Sequence, residues 1–447
     1  MRLIFIEGVS GVGKTTLVQK LSNKLNEMGY ATKYYLEFDF TNPVDFYCTA
    51  YFKEEEYKNL LVDFPEYSDD IKSNTIIAGD IRLIRYYNGE IPLFTEPLRG
   101  VLRKHEFCHE PGNPVPLPEY TRVYKLVWEM LAQETSNQFD FLIFDGSLLH
   151  HPINDLIRNY KALFDQVANH VNSLVESVTP LRPQVFYLSS KNIARTLKKA
   201  HICRKQTPPS AKQIQFWEER SQIDLAVLQQ LAIPYEIYDI SHENWDSYTE
   251  QMINRILETD DERTARIYPV ILSEYNPDWP KWYAKEKANL ETLIGKKNIV
   301  SVNHYGSTSV PGLMAKPTID ILVEIHESTD IQKLIASLPS EYIALDEKAL
   351  TLPMPPPQLL LLKGYLANGF APKVFHIHVR YPGEWDELRF RDYLMSHPDA
   401  VAEYADLKHK LIQEHEHDRD GYTKAKTAFI HSVTVKARKK KEDQNGN

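Results

Sequence analysis

The sequence predicts an α/β protein of two domains. At 447 residues the chain is too long for one ordinary hydrophobic core. Over residues 1–257, short apolar runs alternate with helical patterns, which is typical of a parallel sheet with helices on both faces. The charged segment 258–266 predicts a linker, and we expect an α+β domain over 267–438 and a disordered tail over 439–447.

The composition is that of a soluble globular chain, with 43% hydrophobic and 25% charged residues. No apolar run approaches the roughly 20 residues that span a bilayer. The first apolar run is followed at once by Glu7, which argues against a signal peptide. Cys48, Cys108 and Cys203 are few and scattered, as expected of free thiols in a reducing compartment. We therefore expect a cytoplasmic protein with no membrane association.

The net charge of −9 lies entirely in the first part of the chain, because Lys/Arg and Asp/Glu are equal in number, 24 each, from Arg266 onward. The charge therefore does not support nucleic acid as a partner of the first domain, although a local basic groove is left open. The basic run 436–441 precedes an acidic, polar end, which favours a solvated terminus over a nucleic-acid arm. No feature indicates an oligomeric state.

Residues 8–15 match the phosphate-loop pattern G-x-x-x-x-G-K-[ST]. They stand between the apolar run 3–6 and a predicted helix over 14–28, and this context predicts a P-loop NTPase fold. Backbone N–H groups of such a loop converge on phosphate oxygens at a helix N-terminus. We expect the nucleotide to be bound by eight residues: Gly8, Ser10, Gly11, Val12, Gly13, Lys14, Thr15 and Thr16. No N-K-x-D guanine-reading segment is apparent, so we expect ATP, with Mg²⁺.

The remaining elements of the first domain follow in order. A second strand is predicted at 31–36 and a helical and loop substrate insertion at 43–118. The later predicted elements are a helix at 119–134, strands at 139–145 and 183–189, a basic helix at 191–199, a helix at 213–231 and a last strand at 235–240.

Candidate catalytic carboxylates lie at the ends of two of these strands. Asp145 ends an apolar strand, the position of a Walker-B carboxylate that would hold Mg²⁺ together with Thr15. The alternative is an ordinary acidic residue that opens a turn with Gly146. Glu37 and Asp39 follow the second strand. Either carboxylate could accept the proton of the acceptor hydroxyl, or the two residues are only the polar end of a strand.

Cationic and aromatic side chains suggest two further parts of the site. Arg195 and Arg204, with Lys198 and Lys199, fit a lid that brings positive charge over the γ-phosphate, and they fit a solvated helix face equally well. Six aromatic residues form either an acceptor pocket or part of the core: Phe38, Phe40, Phe46, Tyr47, Tyr86 and Tyr87.

Residues 5–16 resemble the opening of the thymidylate kinase and deoxynucleoside kinase group. The resemblance implies a small-molecule kinase with a carboxylate after the second strand and arginines in a lid, a plan on which Glu37, Arg195 and Arg204 can be placed. This sequence departs from the group at Gly146, where an arginine usually follows the strand carboxylate, and over 43–118. The resemblance leaves the phosphoryl acceptor open.

The second domain resembles the GrpB family. The similarity covers residues 275–280, 304–313, 315–323, 375–379, 391–394 and 422–426. It implies a nucleotidyltransferase-like fold, and domains of this family are fused to dephospho-coenzyme A kinase in some bacteria.

The second domain also carries candidate nucleotide-binding residues. Gly306 and Ser307 followed by a strand with Asp320 fit the nucleotidyltransferase plan, but Leu322 replaces the usual second Asp. Glu324 lies about 13 Å further along the strand, too far to share a metal pair with Asp320. This domain is therefore expected to bind a nucleotide, with transfer left open.

Other polar side chains of the second domain are candidates for anion contacts. His376 and His378 alternate on a predicted strand, so both point to one face. The alternatives for this pair are phosphate or metal binding, acid–base chemistry, and simple packing in the core. Lys316, Arg391 and Lys426 are candidate phosphate contacts, although Arg391 also has Asp392 beside it. His415 and His417 are expected in an exposed polar turn.

Taken together, these patterns predict an ATP-dependent phosphotransferase. Its acceptor is a small metabolite such as a nucleoside, nucleotide or coenzyme precursor, and the GrpB-like domain assists nucleotide or substrate binding. One alternative is a bifunctional kinase and nucleotidyltransferase. Another is an NTP-dependent regulatory switch that binds a protein or RNA partner.

Overall fold

The computed structural model describes residues 1–37, 39–108, 115–134, 138–346 and 354–445, with side chains up to residue 439. The chain forms two compact units, Met1–Leu257 and Glu258–Asn447. Phe38, residues 109–114 of the expected insertion and residues 446–447 of the expected tail lie outside the described residues.

The first unit contains both strands and helices. Its strands are β1 (Arg2–Glu7), β2 (Thr32–Tyr35), β3 (Thr49–Lys53), β4 (Thr75–Ala78), β5 (Ile81–Arg85), β6 (Tyr87–Asn88), β7 (Ile91–Pro92), β8 (Phe141–Asp145), β9 (Gln184–Ser189) and β10 (Tyr235–Asp239). Its helices are α1 (Lys14–Glu27), α2 (Glu54–Asp63), α3 (Ser68–Ser73), α4 (Leu98–Lys104), α5 (Leu117–Glu134), α6 (His150–Arg158), α7 (Phe164–Val178), α8 (Ile193–Cys203), α9 (Ala211–Leu228) and α10 (Trp245–Leu257).

The main sheet of the first unit is five-stranded and parallel, in the order β10-β9-β1-β8-β2. Its central strand β1 is buried on both faces, because Leu3 and Phe5 pack with α5 and α7 whereas Ile4 and Ile6 pack with α1 and α10. A continuous apolar run is what a parallel strand covered on both sides requires. The predicted parallel sheet with helices on both faces is confirmed.

The expected helical insertion at 43–118 is wrong in part, because it contains an antiparallel sheet in the order β3-β5-β4 beside helices α2, α3 and α4. Strands β4 and β5 are joined by the two residues Gly79 and Asp80, and Gly79 has φ +59°. Two isoleucine-rich runs around a Gly-Asp pair are a hairpin signal that the aromatic and charged composition of this segment obscures.

The second unit is built around a mixed sheet. Its strands are β11 (Ile299–Tyr305), β12 (Thr318–Ile325), β13 (Tyr342–Leu345), β14 (Leu359–Leu366) and β15 (Gly369–Arg380). Its helices are α11 (Asp260–Ile267), α12 (Trp279–Leu290), α13 (Ile331–Ala336), α14 (Asp386–Ser396), α15 (Pro398–His415), α16 (Arg419–Ala425) and α17 (Thr427–Asn445).

The sheet of the second unit has the order β11-β12-β15-β14-β13, and only the pair β12–β15 is parallel. Trp279 and Leu290 of α12 pack against Ile319, Ile321 and Ile377 of the two central strands, which are fully or almost fully buried. Strand β12 thereby places its polar side chain at position 320 on the opposite face from this core.

Two segments expected to be irregular are helical. In the expected linker, the Thr259 hydroxyl accepts a hydrogen bond from Glu262 N, and the Glu262 carboxylate accepts one from Thr259 N at 2.9 Å, which caps α11. The expected disordered tail continues α17 up to Asn445, because the Lys- and Arg-rich run favours helix. Within the described ranges, no helix is both long and apolar enough to cross a bilayer.

Candidate functional site

The glycine-rich turn after β1 is closely packed. Gly13 has φ +92°, and a Cβ atom there would lie 2.5 Å from Cη2 of Trp245. Both its conformation and its surroundings therefore require glycine. The turn leads directly into α1, so the positive end of the helix dipole lies beside it.

The side chains after this turn form a bonded group with the end of β8. Lys14 is buried, and its Nζ donates to the carbonyl oxygen of Gly8 at 3.1 Å. Thr15 Oγ1 donates to Asp145 Oδ2 at 2.5 Å. Asp145 is fully buried, and burial raises the pKa of its carboxyl above the ordinary value, with Lys14 opposing that shift.

The second carboxylate oxygen of Asp145, Oδ1, is buried and has no hydrogen-bond partner in the described part of the chain. An unpartnered buried carboxylate oxygen is costly and needs a cation or a donor to satisfy it. Together with the Thr15 hydroxyl it offers the oxygen donors that Mg²⁺ prefers. The residues at this position therefore fit the magnesium ion that the sequence implies.

A cavity of about 370 Å³ opens beside the glycine-rich turn. Of the predicted catalytic residues, Lys14, Glu37, Arg195 and Arg204 all line it. Its remaining lining includes Lys199 and Cys203 of α8 together with Ile240, Ser241, Glu243 and Trp245 after β10. The structure thus brings together side chains from the carboxyl ends of several parallel strands, where ligands bind in open α/β sheets.

A neighbouring cavity of about 340 Å³ shares Ser10 and Glu37 with the first one. Its other lining residues are Tyr47, His150, His151, Asn154, Asp155, Arg158, Asn159 and Trp217. Glu37 is therefore located where the two cavities adjoin. Asp39, its sequence alternative, instead accepts hydrogen bonds from the backbone and hydroxyl of Thr41 in a local turn, both at 2.8 Å.

The aromatic residues proposed for an acceptor pocket are mostly used elsewhere. Among those described, only Tyr47 lines a cavity near the glycine-rich turn. Phe46 and Tyr86 are buried in the core, Tyr87 packs against Tyr86, and Phe40 lies beneath the guanidinium of Arg85 at 5.4 Å. For Phe46, Tyr86 and Tyr87 the core interpretation is therefore the better one, whereas Phe40 belongs to neither group.

Two buried groups beside the turn were not singled out from the sequence. Glu7 is fully buried, and its carboxylate accepts hydrogen bonds from Leu148 N at 2.7 Å and His150 N at 3.0 Å. Burial raises the pKa of Glu7 to about 7. Glu7 thereby joins the end of β1 to the start of α6. In the sequence, only its position directly before Gly8 could have indicated that Glu7 belongs to this site.

His150 supports the same turn from the other side. Its Nδ1 donates to the carbonyl oxygen of Gly8 at 3.1 Å, and its ring stacks on Trp217 with centroids 5.3 Å apart. Burial and then Lys14 hold the pKa of His150 well below its usual range, so the ring is neutral. Nothing local marks His150, because its contacts come from distant parts of the chain.

In the second unit, two separately predicted residues, Asp320 and His376, meet across two adjacent strands. They are opposite each other in the β12–β15 register, with His376 Nδ1 3.6 Å from Asp320 Oδ1. His376 Nε2 shares a 2.6 Å hydrogen bond with the Tyr365 hydroxyl. His378 lies two residues further on, and burial lowers its pKa to about 4, so this ring is neutral near pH 7.

Strand β12 carries two carboxylates, Asp320 and Glu324, which differ in their surroundings. Glu324 is already engaged, because it accepts hydrogen bonds from Ser301 Oγ at 2.5 Å and Trp385 Nε1 at 2.8 Å. Gly306 lies against Asp320, where a Cβ atom would come within 2.3 Å of Oδ2. The close approach of the Gly306 backbone to the Asp320 carboxylate agrees with the nucleotidyltransferase plan. That plan also requires a second carboxylate near Asp320, and β12 has Leu322 at that position.

A cavity of about 370 Å³ adjoins Asp320, and we call it the lysine cavity. It is lined by Ser307, Thr308, Lys316, Thr318, Asp320, His376, Lys408, Arg419, Asp420, Tyr422, Thr423 and Lys426. Of the predicted residues, Ser307, Lys316, Asp320, His376 and Lys426 therefore share one cavity.

Sequence reasoning missed Lys408 and Arg419 in the lysine cavity. Lys408 is 2% exposed, and its Nζ donates to Ser307 Oγ at 2.7 Å and to the Met314 carbonyl oxygen at 2.8 Å. On α15 it looks like any lysine of an amphipathic helix, so no local signal distinguishes it.

Other predicted polar residues lie outside this cavity. Arg391 donates to Asp392 Oδ1 at 2.7 Å and to the carbonyl oxygen of His304 at 2.8 Å, which satisfies it within the protein. His415 lies 3.4 Å from Asp418 Oδ2, and His417 is exposed beside the carbonyl oxygen of Ala265. His417 lies in an exposed turn, whereas His415 is the half-buried last residue of α15, so the expected exposed turn is wrong for His415.

The two units define a mixed α/β protein that combines a parallel sheet ending in a glycine-rich turn with a second sheet facing a cation-rich cavity. A family model described as GrpB protein matches residues 269–436. Glutamate-rich protein GrpB of Alkalihalophilus pseudofirmus is 31% identical over 173 residues, which are 37% of this chain and 93% of that protein. The chain therefore belongs to the GrpB family, which confirms the resemblance of the second domain.

Two further similarities concern a kinase and a solved structure. A dephospho-CoA kinase of Mycolicibacterium paratuberculosis is 26% identical over 188 residues, covering 38% of this chain and 46% of that protein. A crystal structure of conserved protein GrpB from Enterococcus faecalis is 32% identical, covers 38% of this chain and 98% of that chain, and has a TM-score of 0.33.

Proposed function

We propose that the first unit is an ATP-dependent phosphotransferase that uses Mg²⁺ and acts on a small metabolite. The observation that carries this proposal is the bonded group of Lys14, Thr15 and Asp145 at the glycine-rich turn, with Asp145 Oδ1 left unpartnered. Structural turns do not need a buried lysine and a buried acid at one point. A triphosphate with its metal ion satisfies both.

Each side chain at the first cavity has a distinct part in the proposed reaction. Backbone N–H groups of the turn bind the phosphate oxygens, and the Lys14 ammonium turns from the Gly8 carbonyl toward the β- and γ-phosphates. Thr15 and Asp145 hold Mg²⁺, which when bound neutralises phosphate charge. Arg195 and Arg204 stabilise the charge on the transferring group from α8 and its end.

Glu37 is proposed to orient the acceptor. It lines both cavities, so an acceptor hydroxyl bound in the second cavity lies between Glu37 and the γ-phosphate in the first. A carboxylate there accepts the hydrogen bond of the attacking hydroxyl and then its proton. The lining of the second cavity, with Trp217, Asn154 and Arg158, suits an acceptor with a flat ring and polar substituents.

The experiment incubates the full chain with γ-labelled ATP, Mg²⁺ and a panel of nucleosides, nucleotides and pantetheine compounds. Dephospho-CoA belongs in the panel because one relative is named for phosphorylating it. A labelled acceptor supports the proposal. Hydrolysis with no labelled acceptor instead favours a regulatory switch.

Lys14→Ala isolates the site, with Lys24→Ala on the exposed side of the same helix as the matched control. Removing the Lys14 ammonium costs several kcal/mol of transition-state stabilisation, so turnover should fall by about 100-fold or more. Lys24→Ala should leave turnover unchanged. Equal turnover in both variants would mean that the reaction occurs elsewhere.

For the second unit we propose nucleotide or substrate binding rather than nucleotidyl transfer. Two-metal chemistry needs at least two carboxylates at one point, about 4 Å between the ions, and Glu324 is bound to Ser301 and Trp385 instead. If Asp320→Ala abolished pyrophosphate release from an NTP, the bifunctional alternative would be correct.

A further inference from the structure

The lysine cavity gathers basic side chains from separate segments of the second unit. Lys316 precedes β12, Lys408 lies on α15, and Arg419 and Lys426 lie at the two ends of α16. The carboxylates lining the cavity are Asp320 and Asp420. Four basic side chains therefore face a space that holds two acidic side chains, and this excess of basic groups is a property of the tertiary structure.

In its described part, the protein offers these basic groups no ion-pair partner. Within the described ranges none of the four forms an ion pair, and Lys408 has neutral oxygens of Ser307 and Met314 as its partners. Lys316 and Lys426 both lie over the ring of Tyr422, at 5.5 and 4.4 Å from its centroid. Charging several partly buried basic groups at one place is costly unless an anion offsets the charge.

The number and spread of the cations indicate what kind of anion fits. A single carboxylate reaches one or two of these groups, whereas a chain of phosphates reaches several in sequence. The hydroxyl of Ser307 accepts from Lys408 and keeps its own proton for a ligand oxygen. The cavity is therefore suited to a linear polyanion.

An adjoining cavity of about 590 Å³ shares Ser307, Asp320 and Lys426 with the lysine cavity. Its walls include the apolar and aromatic side chains Trp385, Phe390, Tyr404 and Ile430. A ligand with a phosphate chain in one cavity can place an organic group in the other, where an apolar wall gains from burial.

We propose that the second unit binds an organic polyphosphate without a metal ion, with the phosphate chain in the lysine cavity and the organic group in the adjoining one. The cations replace the metal, because Asp320 alone does not make a two-metal centre. This inference deepens the proposed binding role of the second unit and does not depend on phosphoryl transfer by the first.

The test is calorimetry on the full chain carrying Lys14→Ala, which weakens the first unit's phosphate site, in buffer with EDTA. The probes are inorganic tripolyphosphate and ATP. One site should remain, with ATP bound more tightly because of its organic group. Lys426→Met should weaken both probes by about tenfold or more. Lys410→Met, an exposed lysine on the same helix as Lys408, should leave both affinities unchanged.

Lys408→Met should weaken binding in the same way, and circular dichroism shows whether this more buried variant folds. If Lys408→Met does not fold, the affinity of Lys426→Met for the two probes is the test of the proposal. Asp320→Asn should strengthen tripolyphosphate binding, since it removes a negative charge from the cavity.

Three results would overturn the inference: no binding in EDTA, binding unaffected by Lys426→Met, or binding that requires Mg²⁺ and is lost in Asp320→Asn. Failure of the kinase assay with intact binding here would leave the inference standing. The two proposals therefore fail separately.

Discussion

Thr15 Oγ1 lies 2.5 Å from Asp145 Oδ2, although 130 positions separate the two residues in the chain. Strands β1 and β8 are neighbours, with Ile6 opposite Asp145 in the register, so the turn after β1 meets the end of β8. The sheet thus assembles a hydroxyl and a carboxylate at one point. The remaining oxygen, Asp145 Oδ1, is the group that a metal ion would satisfy.

Asp145→Asn should therefore impair the use of Mg²⁺ more than folding. We expect turnover to fall by about 100-fold and the Mg²⁺ concentration for half-maximal activity to rise, because a neutral amide is a weaker ligand than a carboxylate. Kinase assays over a Mg²⁺ series measure both effects. Asp246→Asn, at an exposed acid, is the control. An unchanged Mg²⁺ requirement in Asp145→Asn would contradict the assigned role.

Gly13→Ala should abolish nucleotide binding and lower stability. The new Cβ meets the ring of Trp245 at 2.5 Å, in addition to the strain of a positive φ. Gly29→Ala is the matched control, since Gly29 has φ +95° with nothing within 4 Å of the added atom. The control should lose about 1 kcal/mol from backbone strain alone. Thermal unfolding and ATP titration distinguish the two variants, and equal losses would count against close packing at Gly13.

Stability should depend on pH through Glu7. Its pKa is about 7 in the folded state, against an ordinary value of 4.5, because it is buried. Between these values the folded state holds a proton that the unfolded state releases, so the free energy of unfolding falls as pH rises through this window. The total effect is on the order of 3 kcal/mol.

Glu7→Gln removes this titration, although loss of a carboxylate oxygen lowers stability by a pH-independent amount. Urea unfolding of both proteins from about pH 4.5 to pH 8 measures the difference. The two curves should converge as pH rises. Glu27→Gln, at an exposed position on α1, should show no such convergence. Parallel curves for Glu7→Gln and the parent protein would show that Glu7 does not titrate in this range.

Polyphosphate binding to the second unit should take up protons. Burial, followed by the neighbouring cations, lowers the pKa of Lys408 to about 6 and that of Lys316 to about 7. A bound anion favours the charged forms and raises both values, so near pH 7.5 the complex draws protons from the buffer. Affinity for tripolyphosphate should consequently decrease as pH rises above about 7.

Calorimetry in two buffers of different ionisation enthalpy counts these protons. Lys316→Met should reduce the number taken up, whereas the exposed Lys410→Met should not. Identical heats in both buffers would exclude proton uptake, and the lysines would then be fully charged before the ligand arrives.

Local sequence patterns were sufficient for several parts of this protein. The glycine-rich turn, its lysine and threonine, and the strand that ends at Asp145 follow from spacing and hydrophobicity within short segments. Local patterns did not predict the antiparallel sheet of the insertion, because its hairpin at Gly79 and Asp80 lies among aromatic and charged residues. Helix α11 was missed because its acidic first turn resembles a charged linker, whereas the Thr259 cap makes it helical.

The glycine-rich turn, Asp320 without a second Asp two residues further on, and the GrpB segments could all be predicted from the sequence, because each is a pattern of neighbouring residues. Which distant groups share a cavity could be seen only in the folded protein. The tertiary structure placed Lys408 beside Ser307, Glu7 beneath α6, and Glu37 between two cavities. These contacts depend on strand order and helix packing, which bring together residues far apart in the chain. Local sequence periodicity therefore cannot predict them.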